Sequence, residues 1–329
     1  MPPLTKRGPP VKTLVIGATG YVGSRIAQEF RSHGHETYGL ARSQKSKEVL
    51  SAAGVIPVEG DLAELAKLAA TVDDFDVLVF AATVPFEDEK DVIQELLTAF
   101  TRPGRSLVFI SGSGVVSTAA RDGAWNDYTA AEDDPFPFPA LRNRKIRITT
   151  ERLLTDAASE GLRTFIIRPP LIWGRAGSIQ IPQFFESARK TGTVCYLGQG
   201  LNLYSHVHVD DVATVSYLAF EKGTPGAVYH LVAGEVNFRA IAEAVGEVTG
   251  CPTRSLDYDQ AVELWGAPWV DLGLAVNSRI RSPRTRTELG WTPAHVDVIE
   301  DIRHGSYKDA YDTAKAHGEV QGYSWAAHG

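Results

Sequence analysis

A glycine-rich turn near the start of the chain constrains the fold more than any other feature. The sequence Gly17-Ala-Thr-Gly20-Tyr-Val-Gly23 follows the apolar run Thr13–Ile16 and opens the amphipathic segment Tyr21–Ser32. In this order, one glycine makes the turn, another lets the backbone approach a pyrophosphate, and the third allows close packing of the helix. The helix N-terminus presents N–H groups to the phosphates. The turn therefore predicts a βαβ unit that binds a dinucleotide.

The first half of the chain continues this alternation of short apolar runs and amphipathic segments. Such alternation is typical of a parallel sheet covered by helices. We predict an α/β protein with a doubly wound parallel-sheet Rossmann fold and a smaller C-terminal substrate lobe. The predicted strands are Lys12–Ile16, Glu36–Leu40, Ile56–Glu59, Asp76–Ala81, Ser106–Ile110 and Arg163–Ile167. The predicted helices are Tyr21–Ser32, Ser46–Ala53, Ala63–Ala70, Asp88–Phe100 and Leu141–Ser159.

Composition divides the chain into three parts. Residues 1–11 are predicted to be a flexible tail, residues 12–168 the cofactor-binding core, and residues 169–329 mainly the substrate lobe. A strand at Ala227–Leu231 is expected to return to the main sheet. The irregular stretch Gly123–Pro139 is either a lid over a site or a passive connector. The helices predicted in the lobe are Pro182–Thr191, Val209–Glu221, Phe238–Thr249 and Val296–Ala316.

The composition also argues against several classes of protein. With 329 residues, of which 43% are hydrophobic, the chain can bury a large core. Its longest strongly apolar stretch, Val77–Val84, is much shorter than the ~20 residues that cross a bilayer. Two cysteines cannot form a disulfide framework, so we expect a cytoplasmic protein with no membrane partner. The net charge of -7 argues against binding to nucleic acid.

The end of the second strand is expected to select the nicotinamide cofactor. An acid there binds the ribose hydroxyls of NAD, whereas a base accepts the 2′-phosphate of NADP. The strand ends in Ala41-Arg42-Ser43, without Asp or Glu at its tip. Arg42 can pair with a phosphate and Ser43 can donate a hydrogen bond. We predict a preference for NADP(H) over NAD(H); the alternative is that Arg42 is an ordinary solvated residue.

Seven short motifs extend the prediction to most of the chain. They are Gly17–Gly23, Gly60–Leu62, Phe80–Thr83, Phe109–Ser113, Arg168–Gly174, Val207–Val212 and Glu288–Pro293. In this order they resemble the extended or atypical short-chain dehydrogenase/reductase superfamily, in particular its NAD-dependent epimerase/dehydratase group. The resemblance covers roughly residues 12–310.

The resemblance implies contacts along the whole cofactor. Asp61 and Leu62 are expected against the adenine, and Ala81–Thr83 beneath the ribose. Ser111 is expected beside the cofactor, and Pro169–Leu171 beside the nicotinamide. The residues expected to bind the cofactor are Gly17, Thr19, Gly20, Tyr21, Val22, Gly23, Arg42, Ser43, Asp61, Leu62, Ala81, Ala82, Thr83, Ser111, Arg147, Pro169, Pro170 and Leu171.

A segment rich in histidine and aspartate invites a metal-site interpretation. His206, His208, Asp210 and Asp211 are residue types that bind zinc. In the family that the chain resembles, this segment is a structural turn that caps a helix beginning near Val209. No metal site is therefore predicted.

The catalytic motif of the family is only partly present. In this family a Ser binds the reacting oxygen, a Tyr acts as acid and base, and a Lys four residues later lowers the pKa of the Tyr and binds the ribose. Ser113 matches the serine. The other two residues precede a Glu on one helical face, and Glu151 is its natural match. This register places Asn143 at the tyrosine position and Arg147 at the lysine position.

These replacements leave the proton donor open. Arg147 can keep the charge and the ribose contact of the lysine. Asn143 can polarise a carbonyl but cannot donate a proton near neutral pH. The proton would come from water or from another residue, and Tyr128, Tyr204 and Lys145 are the candidates.

Three functions are compatible with these residues. The main prediction is an NADP(H)-dependent oxidoreductase that reduces a carbonyl or imine, with Ser113 polarising the substrate. The second is a redox-neutral isomerase, dehydratase or cyclase on the same scaffold. The third is a sensor or scaffold protein that binds NADP without turnover. A fold resemblance does not decide among these reaction classes.

The predicted substrate pocket is largely apolar and aromatic, which favours a medium-sized hydrophobic metabolite. A sugar nucleotide is the alternative, because Arg175, Arg189 and Arg279 could bind its diphosphate. The residues predicted to contact the substrate are Val84, Pro85, Phe86, Val115, Trp173, Ile179, Phe184 and Tyr204.

The resemblance also implies a homodimer, formed through the helices at Asp88–Phe100 and Leu141–Ser159. The first carries the acids Asp88, Glu89, Asp91 and Glu95, and the second carries the bases Arg142, Arg144, Lys145, Arg147 and Arg152. These bases surround more than one helical face, so they do not predict a nucleic-acid partner.

Overall fold

The computed structural model describes residues 9–135 and 142–317, without the side chains of Leu65, Ala66, Arg142 and Asn143. The strands are β1 (Lys12–Ile16), β2 (Glu36–Ala41), β3 (Ile56–Glu59), β4 (Val77–Phe80), β5 (Ser106–Ile110), β6 (Thr118–Ala119), β7 (Arg163–Arg168), β8 (Leu171–Trp173), β9 (Val194–Leu197), β10 (Leu203–His208), β11 (Val228–His230), β12 (Gly234–Asn237), β13 (Thr253–Leu256) and β14 (Val276–Asn277). The helices are α1 (Tyr21–Ser32), α2 (Gln44–Ala52), α3 (Leu65–Val72), α4 (Phe86–Ala99), α5 (Arg142–Ser159), α6 (Ile181–Thr191), α7 (Val209–Lys222), α8 (Phe238–Thr249), α9 (Tyr258–Trp265), α10 (Ala267–Trp269), α11 (Pro283–Leu289), α12 (Val298–His304) and α13 (Ser306–Ala316). Most of the predicted tail lies outside the described residues.

Seven strands form the main sheet in the order β11-β7-β5-β4-β1-β2-β3. Every neighbouring pair in this sheet is parallel. The chain builds outward from β1 to β3 on one side and from β4 to β11 on the other. The carboxyl ends of β1 and β4 therefore flank a crevice, where ligands bind in such sheets. The prediction of a doubly wound α/β fold is confirmed.

Successive residues of β1 enter two different cores, because side chains of a strand alternate between the faces of the sheet. Val15 packs with Ile26 and Phe30 of α1 in the core on one face. Leu14 and Ile16 belong to the core on the other face, which α3, α4 and α5 cover. The spacing of four between Ile26 and Phe30 places both on the side of α1 that meets the sheet.

The lobe has a core of its own, built around α6, α8, α12 and the start of α13. The single helix predicted at Val296–Ala316 is wrong, since α12 and α13 are separate helices that meet at Gly305. A Cβ at Gly305 would lie 2.3 Å from a carboxylate oxygen of Asp301. That carboxylate accepts hydrogen bonds from the N–H and hydroxyl of Ser306 and thereby starts the second helix. Within the described ranges, no helix is both long and apolar enough to cross a membrane.

The irregular stretch Gly123–Pro139 is fastened to the lobe as far as residue 135. Ala130 accepts a main-chain hydrogen bond from Arg281 at 2.8 Å. The buried carboxylate of Glu132 accepts from both the N–H and the hydroxyl of Thr285 at 3.1 Å. These bonds make the described part a fixed connector, and residues 136–139 lie outside the described ranges.

Candidate active site

The glycine-rich turn joins β1 to α1 and is tightly packed. Gly17 has a φ of 94°, and a Cβ there would lie 2.7 Å from main-chain atoms of Ala81 and Ala82. At Gly23 a Cβ would lie 2.2 Å from the carbonyl oxygen of Gly17, and at Gly20 one would lie 3.3 Å from the same oxygen. The turn thus packs closely against β4 and α1 and has little room for a side chain at these three positions, which fits the close main-chain approach of a pyrophosphate cradle.

The start of α1 adds donors to this cradle. The helix begins at Tyr21 without a side-chain cap, so the amides of its first turn can serve phosphate oxygens. The Tyr21 side chain is engaged elsewhere, since its hydroxyl donates to the carbonyl of Gly174 at 2.8 Å. Burial raises the pKa of this phenol well above its usual value. Tyr21 therefore ties the turn to the lobe, and its main chain is what remains for a cofactor.

Arg42 and Ser43 follow β2, which lies beside β1. Arg42 is exposed, whereas the nearby Lys47 pairs with Glu59 at 2.7 Å. The Ser43 hydroxyl caps α2 by accepting from the N–H of Ser46 at 3.2 Å. The guanidinium of Arg42 is thus accessible to a phosphate at the tip of the strand.

Other predicted cofactor residues mainly support the crevice. Asp61 accepts from the N–H of Ala63 at 3.0 Å, which fixes the turn after β3. The carbonyl of Pro169 accepts from the N–H of Ser113 at 2.9 Å and joins the ends of β5 and β7. Leu171 is fully buried in the core of the lobe, so its side chain offers no surface to a nicotinamide.

A buried ion pair anchors α5 beneath the candidate site. Glu151 accepts from Nε and Nη2 of Arg168, at 2.9 and 2.5 Å, and from the hydroxyl of Ser111. Arg168 also lies 3.2 Å from Nε2 of His230. The pair fixes α5 against β7 and so fixes where the helix presents positions 143 and 147. The Ser111 hydroxyl is part of this support.

Ser113 begins a buried row of hydroxyl groups. It lies in a 3-10 turn after β5, and its Oγ is 2.7 Å from the Oγ of Ser278. Ser278 is paired with Tyr204 across a β-bridge, which places the two side chains next to each other. Burial raises the pKa of Tyr204, while the cation of Arg144 and the side chains of Ser278 and Gln180 act in the opposite direction. The row therefore runs from Ser113 through Ser278 to Tyr204 in the lobe.

Arg147 is directed toward α4. Its guanidinium pairs with Glu89 and lies 5.2 Å from the centre of the Phe86 ring. Glu89 is buried; burial raises its pKa, and Arg147 lowers it. A contact of Arg147 with the nicotinamide ribose stays a prediction, and in the described residues Glu89 already takes part of its hydrogen-bonding capacity.

The other predicted catalytic residues differ in what the structure describes. Asn143 lies in the first turn of α5, but its side chain is outside the described residues. Tyr128 packs against the apolar cluster that contains Val115, and burial raises its pKa. Lys145 is exposed. Of the three candidate proton donors, Tyr204 is paired across a β-bridge with Ser278, whose hydroxyl meets that of Ser113.

Several of the residues predicted to contact the substrate are buried in this structure. Phe184 is 1% exposed in the core of the lobe, and Trp173 in the same core donates from Nε1 to Nδ1 of His206 at 3.1 Å. Val115 is buried as well, and contact of these three side chains with a substrate stays a prediction. Ile179 is 62% exposed. Val84 and Phe86 are half-buried, and Pro85 precedes the first turn of α4.

The histidine- and aspartate-rich segment starts a helix. His208 is the N-cap of α7, and its Nδ1 accepts from the N–H of Asp210 at 3.2 Å. Asp210 pairs with Arg25 and Arg175. His208, Asp210 and His295 offer ligand atoms within 4.8 Å of one another. Since two of these groups are already engaged, the cluster has little capacity left for a cation.

The buried histidines predict how stability depends on pH. Burial lowers the pKa of His206 and His208 to about 4, whereas an unfolded histidine titrates near ~6.5. Between about pH 6.5 and pH 4 the unfolded chain binds protons that the folded chain does not, so the free energy of unfolding falls as the pH decreases toward 4. At about pH 5 we expect a loss of about 2 kcal/mol per histidine. Urea unfolding of the wild type and of His206→Gln, each at neutral pH and at about pH 5, measures this loss of stability. An equal loss in the two proteins would contradict the role of His206.

The chain is similar to known proteins over most of its length. The profile of the NAD dependent epimerase/dehydratase family matches residues 13–232. An uncharacterized protein of Schizosaccharomyces pombe is 29% identical over 307 residues, 90% of this chain and 100% of the relative. A decarboxylating sterol-4-alpha-carboxylate 3-dehydrogenase of Dictyostelium discoideum is 27% identical over 240 residues, 67% of this chain and 71% of the relative. The solved dTDP-glucose 4,6-dehydratase of Bacillus anthracis, in complex with NAD, shares the fold, with a TM-score of 0.72 and 16% identity over 93% of this chain and 97% of that one.

Proposed function

The chain belongs to the NAD dependent epimerase/dehydratase family, and on this basis we propose that it is an NADP(H)-dependent oxidoreductase acting on a carbonyl or imine of a medium-sized, largely apolar metabolite. The observation that carries the proposal is the row of hydroxyls from Ser113 through Ser278 to Tyr204. It offers the reacting atom a hydrogen-bond donor and, behind it, a source of a proton.

The cofactor would lie along the carboxyl ends of β1, β2 and β4. The turn Gly17–Gly23 and the first amides of α1 would hold the pyrophosphate, and Arg42 the 2′-phosphate. When bound, NADPH supplies the hydride. The protein contributes the position of the substrate and the proton.

Ser113 would donate a hydrogen bond to the substrate oxygen or nitrogen and thereby polarise it. Tyr204 would then supply the proton through Ser278 and Ser113, each hydroxyl passing one proton on as it receives another. Burial raises the pKa of Tyr204, so its phenol keeps its proton at neutral pH; the anion that hydride transfer would create on the substrate is a stronger base than a phenolate and would draw that proton along the row. This arrangement replaces the missing tyrosine at Asn143 by a tyrosine on β10.

An apolar substrate is favoured over a sugar nucleotide. The three arginines considered for a diphosphate are each engaged by a carboxylate: Arg175 by Asp210, Arg189 by Glu186, and Arg279 by Glu235. The Dictyostelium relative is named for a sterol substrate, which also has an apolar skeleton.

Titration of the protein with NADPH and NADH tests the cofactor assignment. We expect Arg42→Ala to weaken NADPH binding about 10- to 100-fold, because hydrogen bonds to a charged group contribute about 1.5–3 kcal/mol. NADH binding should not change, since NADH lacks the 2′-phosphate. Calorimetry measures both affinities, and Arg254→Ala, at an exposed position of β13, is the control.

An equal loss for both cofactors, or no loss for either, would contradict the role of Arg42. Failure of the wild type to bind either cofactor would overturn the proposed function. A substrate converted without any change in NADPH absorbance would instead identify the redox-neutral alternative.

A further inference from the structure

Arg144 is a buried cation without a carboxylate partner in the described ranges. It is 6% exposed, its Nη1 donates to the carbonyl of Ser117 at 2.9 Å, and its Nη2 has no hydrogen-bond partner. The adjoining residues outside the described ranges, 136–141, read Phe-Pro-Phe-Pro-Ala-Leu and contain no acid. A buried charge is normally paired, because removing it from water is unfavourable. The isolation of Arg144 therefore requires an explanation.

The position of Arg144 connects it with the candidate site. Arg144 and Ile148 lie one turn apart on the same face of α5. Ile148 packs with Val115 and Ile280, and each of these lies two residues beyond one hydroxyl of the row, Ser113 or Ser278. The guanidinium also lies close enough to Tyr204 for its charge to act on the phenol.

The carbonyl that Arg144 holds belongs to Ser117, the residue that ends the 3-10 turn begun by Ser113. The neighbouring Arg147 differs in both respects, because it faces α4 and is paired with Glu89. Of these two cations on α5, Arg144 is therefore the one held at the turn that carries Ser113.

We propose that Arg144 binds an anionic group of the substrate, so that the substrate is an apolar carbonyl or imine compound that carries a carboxylate. This inference rests on the proposed function and narrows its substrate class. A guanidinium presents a planar fork of N–H donors that matches the two oxygens of a carboxylate. Nη2 of Arg144 has this capacity unused. One unpaired cation balances one carboxylate, whereas a diphosphate carries more charge than Arg144 alone balances.

The first test is stability without ligand. Arg144→Met retains most of the side-chain length. It removes an unpaired buried charge, which favours the folded state, and also the donor to the Ser117 carbonyl, which opposes it, so we expect its melting temperature to stay within a few degrees of the wild type. Arg152→Met, at an exposed position on the same helix, is the control. A clear fall in melting temperature for Arg144→Met alone would make Arg144 a structural residue and overturn the inference.

The second test compares matched probes on the NADP-loaded protein. Two pairs are used: 4-phenylbutanoate with 4-phenylbutanamide, and decanoate with decanamide. We expect the wild type and Arg152→Met to bind each carboxylate about tenfold or more tightly than its amide, as hydrogen bonds to a charged group imply. Arg144→Met should bind both members of a pair equally, and Arg144→Lys should keep part of the preference.

NADPH titration of the same proteins distinguishes failure of the proposed function from failure of the assignment of Arg144. If the wild type does not bind NADPH, the proposed function fails. If NADPH binds normally and neither pair shows a preference for the carboxylate, only the assignment of Arg144 is overturned. A preference that survives in Arg144→Met would also overturn it, because another group would then hold the anion.

Discussion

Replacement of Tyr204 by phenylalanine is expected to lower kcat about 10²- to 10⁴-fold, because a general acid usually contributes a factor of this size. The affinity for NADPH should not change. The phenol is the inner end of the hydroxyl row that reaches Ser113 through Ser278. The ring packs against Phe238 with centroids 5.5 Å apart, so phenylalanine preserves the packing and removes the proton. Steady-state kinetics with NADPH and a reducible substrate measure the effect.

The controls use the same chemical change elsewhere. Tyr128→Phe removes the other candidate phenol and should leave kcat within a few-fold of the wild type. If the row acts as one unit, the double variant Ser113→Ala/Tyr204→Phe should have a kcat only slightly lower than that of the more impaired single variant. A normal kcat in Tyr204→Phe together with a large loss in Tyr128→Phe would move the proton donor to the connector.

The sequence was most informative where local periodicity and the sheet agree. The predicted bounds of β1, β3, β5, α1 and α8 match the structure residue for residue. In a parallel sheet covered on both faces, a strand is a short apolar run and a helix has a clear apolar stripe, and both are visible locally. The short strands of the lobe, such as β8 and β14, lack this pattern because they are defined by distant partners.

In the candidate site, too, features that depend on spacing within one element could be predicted, and contacts between distant elements could not. The register based on Glu151 depends on spacing within one helix, and the pair that Glu151 forms with Arg168 is consistent with it. The pairing of Arg147 with Glu89 depends on how α4 packs against α5, which spacing alone does not reveal. Ser278 lies 165 residues from Ser113 and belongs to no motif identified in the sequence.

Arg144 was missed for a different reason. It lies in a basic cluster, and such clusters are usually solvated helix surfaces. The signal that could have identified it is the adjoining acid-free and proline-rich segment 136–141, which offers a buried arginine no local counter-ion. A cation beside such a segment must be exposed, paired across the fold or reserved for a ligand. The structure excludes exposure and, in the described ranges, gives no paired carboxylate.

The second large effect concerns stability and follows from the Glu151–Arg168 pair. We expect Glu151→Ala to lower the free energy of unfolding by about 3–5 kcal/mol, because Arg168 would lose its carboxylate while remaining buried. The exposed pair of Arg239 and Glu243 supplies the control, and Glu243→Ala should change stability by less than about 1 kcal/mol. Urea unfolding measures both variants, and similar losses in the two would contradict the structural role of Glu151.

A second variant distinguishes loss of the charge from loss of the side chain. Glu151→Leu combined with Arg168→Met replaces the pair by apolar groups and should recover much of the stability that Glu151→Ala loses, since no isolated charge is left buried. The Ser111 hydroxyl would still lack its acceptor. Because Ser111 is two residues from Ser113, we expect the double variant to be stable but to have a lower kcat. Such a result would show that Glu151 has a role in the candidate site besides its role in the stability of the fold.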